Sequence, residues 1–414
     1  MISLEGREDP KVRTYSMDLM CVIDLSKSMG GSRITLVGTS LNALLDMLGD
    51  RDRVSIVGFN ATADRKCHFI RCTTEGKEQL RAIIKNLTCK GRTNLAPGFL
   101  MGLEVLKQRR SLNTAVSLFL FSDGEDNKGG DPAAVCKYAM REHKLEKFSV
   151  MTFGYGSQVN TELLVALANL GKGLFYHIAQ PDDIQKDFDL AFKEVNSVIA
   201  RKLHVSLALL EGAVPCEITK TYAKDAGNAF DLPSLCANAR KELIFRLKPR
   251  HMELLSKTSY PVVHVTLNYE DNDDTNCTKT ATLDVRFVKW VSAPVPEDTT
   301  VYIHWFRERG AEYLREAQEL GNAGRFTEAG QVLCRGIEAL NGGSCYQVPL
   351  VQSVLRDMIQ ARDLVRNEET WQQGGNSHFA AVSYSHFSQS ATTLTMQYAT
   401  RQQAPQFPTE ERVE

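Results

Sequence analysis

A chain of 414 residues is too long for one ordinary domain, and 43% hydrophobic with 24% charged residues is the composition of a globular protein. A formal net charge of -1 gives no overall field that would draw in nucleic acid or an anionic membrane, and no apolar run approaches the ~20 residues of a membrane span. The polar start MISLEGREDPKVR lacks the apolar core of a secretory signal, which predicts a cytoplasmic protein. Its ten cysteines are then read as free thiols, with Cys67–Cys72 and Cys334–Cys345 as pairs that oxidation could bridge.

Residues 1–14 are expected to form an N-terminal arm. From there to residue 200 the chain alternates strand and helix patterns. Residues 17–24 are a continuous apolar run that ends on Asp24, as a parallel strand covered on both faces requires. Residues 34–48 carry a helical stripe at Ile34, Val37, Leu41, Leu44, Leu45 and Leu48. Strands follow at 53–59 and, at a sheet edge, 66–71. Helices are expected at 75–87 and 96–108, then a strand at 115–121 and a helix at 132–142 that opens on Pro132. Strands at 148–153 and 174–178 flank a helix at 161–168, and a helix over 182–200 closes the series. Such alternation predicts an α/β fold over residues 15–200, a doubly wound, mostly parallel sheet with helices on both faces.

Beyond residue 201 the apolar period becomes two. Leu203, Val205, Leu207 and Leu209 alternate with polar or small residues, and so do Val263, Val265, Leu267 and Tyr269. This predicts an antiparallel β-sandwich over residues 201–291. After the Pro-containing stretch SAPVPEDTT, helical stripes return at 304–320, 327–340 and 350–365, so a helical region is expected over 292–371. The Ser-, Thr- and Gln-rich tail, 372–414, is expected to be strand-prone at 379–384 and partly disordered.

Ligands of open α/β sheets bind beyond the carboxyl ends of the strands, where strand order reverses. Three loops at that edge are rich in oxygen donors. VIDLSKSM supplies Asp24, Ser26 and Ser28; KGRTNLAPGF supplies Thr93; FLFSDGEDN supplies Asp123. Two carboxylates with hydroxyls and waters suit a hard divalent cation such as magnesium and leave room for a partner's acidic side chain in the coordination shell. Taken singly, Ser28 and Thr93 also read as helix N-caps, and Asp123-Gly124 as an ordinary turn. Asp126 is either an outer carboxylate orienting a bound water or a solvated loop residue, and Asn60 reads as a turn cap.

The pattern D-x-S-x-S, then T, then D, resembles the von Willebrand factor A-type domain and its metal-ion-dependent adhesion site. The resemblance implies that Asp24, Ser26, Ser28, Thr93 and Asp123 coordinate Mg2+ or Mn2+, and that the domain binds a protein partner presenting Asp or Glu to the ion. The region after it, with the tail motif SYSHFSQSAT, is similar to that following the A-type domain in plant RING-type ubiquitin ligases and related protist proteins, although no RING cysteine–histidine cluster precedes the domain here. The expected function is therefore divalent-metal-dependent protein binding rather than catalysis. An adaptor or substrate-recognition role in ubiquitin transfer is the first alternative, and a magnesium-dependent phosphoester hydrolase the second. No phosphate-binding G-x-x-x-x-G-K loop and no G-x-S-x-G elbow occurs. GYGSQ (154–158) reads as a plain turn, EDNDD (270–274) as a solvated loop without EF-hand spacing, and GRFTEA (324–329) as the turn of a single helix pair.

Overall fold

The computed structural model describes residues 1–7, 16–109, 113, 115–124, 131–142, 148–156, 159–171, 173–178, 187–192, 195, 197–210, 216–220, 228–249, 259–271, 275–286, 298–341 and 347–389. They divide into two compact units, one within residues 10–197 and 368–385, the other within residues 1–9, 198–367 and 386–389.

Strand β1 (Ile2–Glu5) belongs to the second unit. The α/β unit begins with β2 (Met17–Asp24), a short 3-10 turn at Lys27–Met29 and α1 (Ser32–Met47). Next come β3 (Arg53–Phe59), β4 (Ala63–Arg71), α2 (Thr74–Lys85), α3 (Leu95–Lys107) and β5 (Ala115–Ser122). It continues through α4 (Pro132–Glu142), β6 (Ser149–Tyr155), α5 (Thr161–Leu170) and β7 (Phe175–Ile178). Its six strands lie in the order β4-β3-β2-β5-β6-β7, all parallel except the edge strand β4, which runs antiparallel to β3. Every residue of β2 is buried, because helices cover both faces. Leu19, Cys21 and Ile23 face a core built with α1 and α2; Met20 and Val22 face one built with α3, α4 and α5. The chain leaves β2 toward β3 on one side and returns to β5 on the other, so the switch in strand order lies at the carboxyl ends of β2 and β5.

Helix α3 approaches the sheet closely. A Cβ at Gly98 would lie 2.4 Å from the ring of Phe59, and one at Gly102 2.9 Å from Val22. Two glycines one turn apart thus let the helix seat its first turn against the rim, just after Thr93.

The second unit contains β8 (Val198–Leu209), β9 (Cys216–Lys220), β10 (Ala229–Cys236), β11 (Arg240–Leu243), β12 (Phe245–Pro249), β13 (Ser259–Asp271) and β14 (Asn276–Arg286). Four of these form an antiparallel sheet, β10-β8-β13-β14, and β12-β9 and β1-β11 form two-stranded antiparallel ladders. Residues from all three share one apolar core, in which Val205, Val262 and Val263 are fully buried and Leu4, Ile218 and Leu247 take part. Helices α6 (Thr299–Asn322), α7 (Phe326–Asn341) and α8 (Pro349–Leu364) follow, and the last helix, α9, runs Asn376–Ser388. None of the helices among the described residues is long and apolar enough to cross a membrane.

Three local expectations are corrected. The N-terminal arm contains a strand, β1, whose partner is β11. The helix expected over 182–200 gives way to β8 at Val198, whose first residues pair with β10. The strand expected at 379–384 is the middle of α9 instead. Cys67 and Cys72 are free thiols. Asp126, Cys345 and residues 272–274 lie outside the described residues.

His304 on α6 sits among cations, and burial, then Arg307 and Arg240, lower its pKa to about 4. A depressed histidine pKa contributes stability that is fully present above pH ~6.5 and lost as the pH falls through about 4. Between pH 7 and pH 4.5 the wild type should therefore lose about 2 kcal/mol more stability than His304→Gln, measured as the difference between their urea midpoints at the two pH values.

Candidate functional site

The sheet rim at the switch point gathers most of the oxygen donors singled out from the sequence. Asp24 is the last residue of β2 and fully buried. Its Oδ1 accepts the Ser26 backbone N–H at 2.9 Å, and its Oδ2 accepts the Ser122 hydroxyl at 2.6 Å. Ser26 is buried, Ser28 half-buried, and their hydroxyls lie 3.0 Å apart. Asp123, directly after β5, is fully buried and accepts the Arg33 guanidinium at 2.7 Å; the same Nη1 donates to the Ser28 carbonyl at 3.0 Å. Asp24, Ser26, Ser28 and Asp123 therefore belong to one hydrogen-bonded network, joined by Ser122 and Arg33.

Thr93, also buried, reaches the same rim through its loop. The Lys90 N–H donates to the Leu25 carbonyl at 2.7 Å and the Lys27 N–H to the Gly91 carbonyl at 3.0 Å, stitching the Thr93 loop to the Asp24 loop. Asn60, read as a turn cap, accepts the Thr62 N–H on its side chain and the Asn94 N–H on its carbonyl. The plain N-cap alternatives for Ser28 and Thr93 do not describe these positions, because the cap of α1 is Gly31 and that of α3 is Asn94. The two hydroxyls are thus directed by something other than helix capping.

Burial of Asp24, with the neighbouring Asp123 charge adding to it, raises its carboxyl from 3.8 to about 6, against the opposing hydrogen bonds from Ser122 and Ser26. Cys89, close enough to feel the Asp24 charge, is raised to about 11, chiefly by burial and then by that carboxylate. A thiol held protonated in this way is a poor nucleophile.

Two contributors were not anticipated from the sequence. Ser122 ends β5, where a hydroxyl directly after the apolar run Leu118–Phe121 is the one available signal; it also accepts the Gly124 N–H at 2.9 Å. Arg33 stands in the first turn of α1, where the helix dipole disfavours a cation, and that misplacement is itself a sequence signal for a nearby anion.

The donor set fits a hard divalent cation. Every candidate ligand atom is oxygen, and the 3.0 Å between the two serine hydroxyls is the spacing of adjacent vertices in an octahedron with ~2.1 Å bonds. Among the described residues no three His, Cys, Asp or Glu side chains cluster as a metal-binding group. The rim offers two carboxylates and makes up the remainder with hydroxyls.

The von Willebrand factor type A family model matches residues 18–189, a stretch holding all of these residues. The chain carries a von Willebrand factor type A domain. Domains of this type mediate protein–protein interaction and commonly bind a divalent metal. Among solved structures, a von Willebrand factor type A protein from Catenulispora acidiphila shares the fold over 89% of both chains, at 14% identity and a TM-score of 0.65. The ArnB paralog VWA2 from Sulfolobus acidocaldarius matches 93% of this chain and 90% of its own, at 18% identity and a TM-score of 0.54. Among curated proteins, the E3 ubiquitin-protein ligase WAV3 of Arabidopsis thaliana is 23% identical over 263 residues, 58% of this chain and 32% of the ligase. Inter-alpha-trypsin inhibitor heavy chain H3 of Rattus norvegicus is 27% identical over 181 residues, 42% of this chain and 20% of the heavy chain. The chain thus spans about a third of the length of the first and a fifth of the second.

Proposed function

We propose that the type A domain is a divalent-metal-dependent protein-binding module, with Asp24, Ser26, Ser28, Thr93 and Asp123 holding Mg2+ or Mn2+ and a partner's Asp or Glu completing the shell. The observation that carries this reading is the network at the rim: two buried carboxylates at the ends of neighbouring strands, Asp24 bonded to the Ser122 hydroxyl and Asp123 to Arg33, which also holds the Ser28 carbonyl, with two serine hydroxyls 3.0 Å apart that cap no α-helix. A bound cation would supply positive charge for a partner carboxylate. The residues around it have their own tasks. The Ser26 backbone amide and the Ser122 hydroxyl fix the rotamer of Asp24, and the 3-10 turn at Lys27–Met29 turns Ser26 and Ser28 toward each other. The two backbone bonds between the Asp24 and Thr93 loops hold those segments in register. A preformed donor set costs little reorganisation when a ligand arrives.

A substrate-recognition or adaptor role in ubiquitin transfer is the second reading, favoured by one observation. The WAV3 match takes in 58% of this chain, whereas the domain match of residues 18–189 is 172 of 414 residues. The likeness to the ligase therefore runs past the domain, while the match to the inhibitor heavy chain has about the domain's length.

The test is affinity capture by the full chain in 5 mM MgCl2 and in EDTA, with Ser26→Ala as control. The expected outcome is a set of partners held only in magnesium and lost at least tenfold in Ser26→Ala, with far-UV circular dichroism unchanged. Capture that ignores both chelator and substitution would reject metal-dependent binding. Capture of ubiquitin ligase components in that set would favour the adaptor role.

A further inference from the structure

Resting on the metal-binding reading above, we propose that Arg33 is an internal counter-cation of the rim, and that its guanidinium and a divalent ion compete for Asp123. Three independent features converge on it. First, Arg33 is a cation in the first turn of α1, a turn with no acidic residue, where the helix N-terminus is itself positive. A guanidinium there is disfavoured locally, so its placement rests on an anion elsewhere. Second, that anion is Asp123: Nη1 reaches Oδ2 at 2.7 Å and the Ser28 carbonyl at 3.0 Å, and so touches two of the segments proposed to hold the ion. The carboxylate is fully buried while the Arg33 side chain is 23% exposed, so the pair is shielded on one side and open to exchange on the other. Third, the protein keeps a space for the guanidinium. A Cβ at Gly156 would lie 2.6 Å from Arg33 Nε. Gly156 has φ +102, a conformation open to glycine, and its carbonyl is held by His177 Nε2 at 2.8 Å. Gly156, in a stretch that read as a plain turn, therefore leaves a berth for Arg33.

Two buried carboxylates at one rim need positive charge whether or not an ion is bound. In the cation-free domain Arg33 supplies it to Asp123. An ion that takes Asp123 as a ligand must displace or share that guanidinium, and the affinity of the ion is reduced by the strength of the pair it replaces. A released guanidinium remains at the rim, beside the place where an acidic partner side chain would bind. Competition of this kind keeps Asp123 neutralised in the cation-free rim and couples ion entry to movement of one side chain.

The experiment is isothermal titration of the full chain with MnCl2 and with MgCl2, together with thermal unfolding of the cation-free and Mn2+-saturated proteins, for wild type, Arg33→Gln, Arg33→Lys and Asp123→Ala. Arg33→Gln should bind Mn2+ about tenfold or more tightly than wild type, and should unfold at lower temperature when cation-free but not when saturated. Arg33→Lys, which keeps a charge on a flexible stem, should fall between the two, and Asp123→Ala should bind no ion. Equal or weaker Mn2+ binding by Arg33→Gln, with wild-type binding intact, overturns the competition and leaves the metal site standing. Absence of Mn2+ and Mg2+ binding by both wild type and Arg33→Gln at millimolar concentration overturns both the site and the competition.

Discussion

Replacing Asp18 by alanine is expected to destabilise the α/β unit by about 3–5 kcal/mol, enough to unfold a domain of ordinary stability. Asp18 lies near the start of β2, at the end of the strand opposite Asp24, and is fully buried. Arg53 grips it with a fork, Nε to Oδ1 at 2.7 Å and Nη2 to Oδ2 at 2.6 Å. Arg109 adds Nη1 to Oδ2 at 2.8 Å, and the Asn113 N–H a longer contact at 3.3 Å. Both arginines are themselves largely buried, with side chains 14% and 11% exposed. Removing the carboxylate leaves two guanidinium groups close together and short of water, which is the costly way to break a buried ion cluster. Removing the whole cluster is a different change. Asp18→Leu with Arg53→Met and Arg109→Met leaves no stranded charge, and should recover most of the loss. Urea unfolding of the single and triple variants checks both, and a single variant as stable as wild type would mean the cluster adds nothing.

That contrast between the two ends of β2 also explains what the sequence made legible. An apolar run ending in Asp-x-Ser-x-Ser identifies a covered strand with a polar exit, because burial of both faces drives most oxygen donors to the strand ends. The alternation of such runs with helical stripes gives the elements from β2 to β7 within a few residues at each end. Asp18 interrupts the same run with a charge, but nothing nearby in the sequence names its partners. Its partners stand 35 and 91 residues away, and only the parallel pairing of β2 with β3 and β5 brings them together.

The same limit hides β1 and α9. Strand β1 is four residues with a single buried side chain, Leu4, and pairs with β11 some 240 residues later. Four residues with one buried position hold no period to read. Helix α9, NSHFAAVSYSHFS, is rich in serine and histidine, which are poor helix formers, and its Phe, Val and Tyr residues suit a strand. Packing overrides that propensity. In the α/β unit Phe379 and Val382 are fully buried, with the Trp371 and Phe379 rings 5.3 Å apart. In the second unit, buried His386 bonds Asp357 at 2.8 Å. There the Gln389 side-chain amide donates to the Glu242 carbonyl at 2.7 Å and accepts the Glu242 N–H at 2.8 Å. The motif SYSHFSQ is thus fixed by partners more than a hundred residues away in the case of Glu242, which no window along the tail contains. At the rim, Ser122 and Arg33 escape a sequence reading for a related reason: each acts through a residue on another strand or loop, and the traces they leave, a hydroxyl at a strand end and a cation in the first turn of a helix, do not name that partner.

Asp24→Asn should move stability and cation response in opposite directions. Burial raises the Asp24 carboxyl from 3.8 to about 6 in the cation-free fold. For an acid whose folded pKa is raised, the stabilising contribution is fully present below the unfolded pKa, here about 3.8, and is lost as the pH rises through about 6. At pH 7 the ionised side chain therefore costs the cation-free fold about 3 kcal/mol relative to its neutral form. Asparagine stays neutral at every pH and escapes that loss, but one of its polar atoms is a donor. Turned toward Ser122, the amide can donate to a hydroxyl that reorients to accept it, while its oxygen keeps the Ser26 N–H. Allowing for that imperfect exchange, the variant should be about 1–2 kcal/mol more stable than wild type at pH 7 and no more stable at pH 4. Magnesium should raise the wild-type melting temperature at pH 7, because an ion that binds only the folded state stabilises it by mass action. It should leave Asp24→Asn unchanged, since a neutral amide is a weak ligand for a hard cation. Melting curves of both proteins between pH 4 and pH 8, with and without MgCl2, test the two halves together. A variant that is destabilised at pH 7, or that still responds to magnesium, would show that Asp24 serves the fold rather than an ion. The expected crossing instead marks a carboxylate kept in the core at a cost to stability, which is the signature of a residue retained for what it binds.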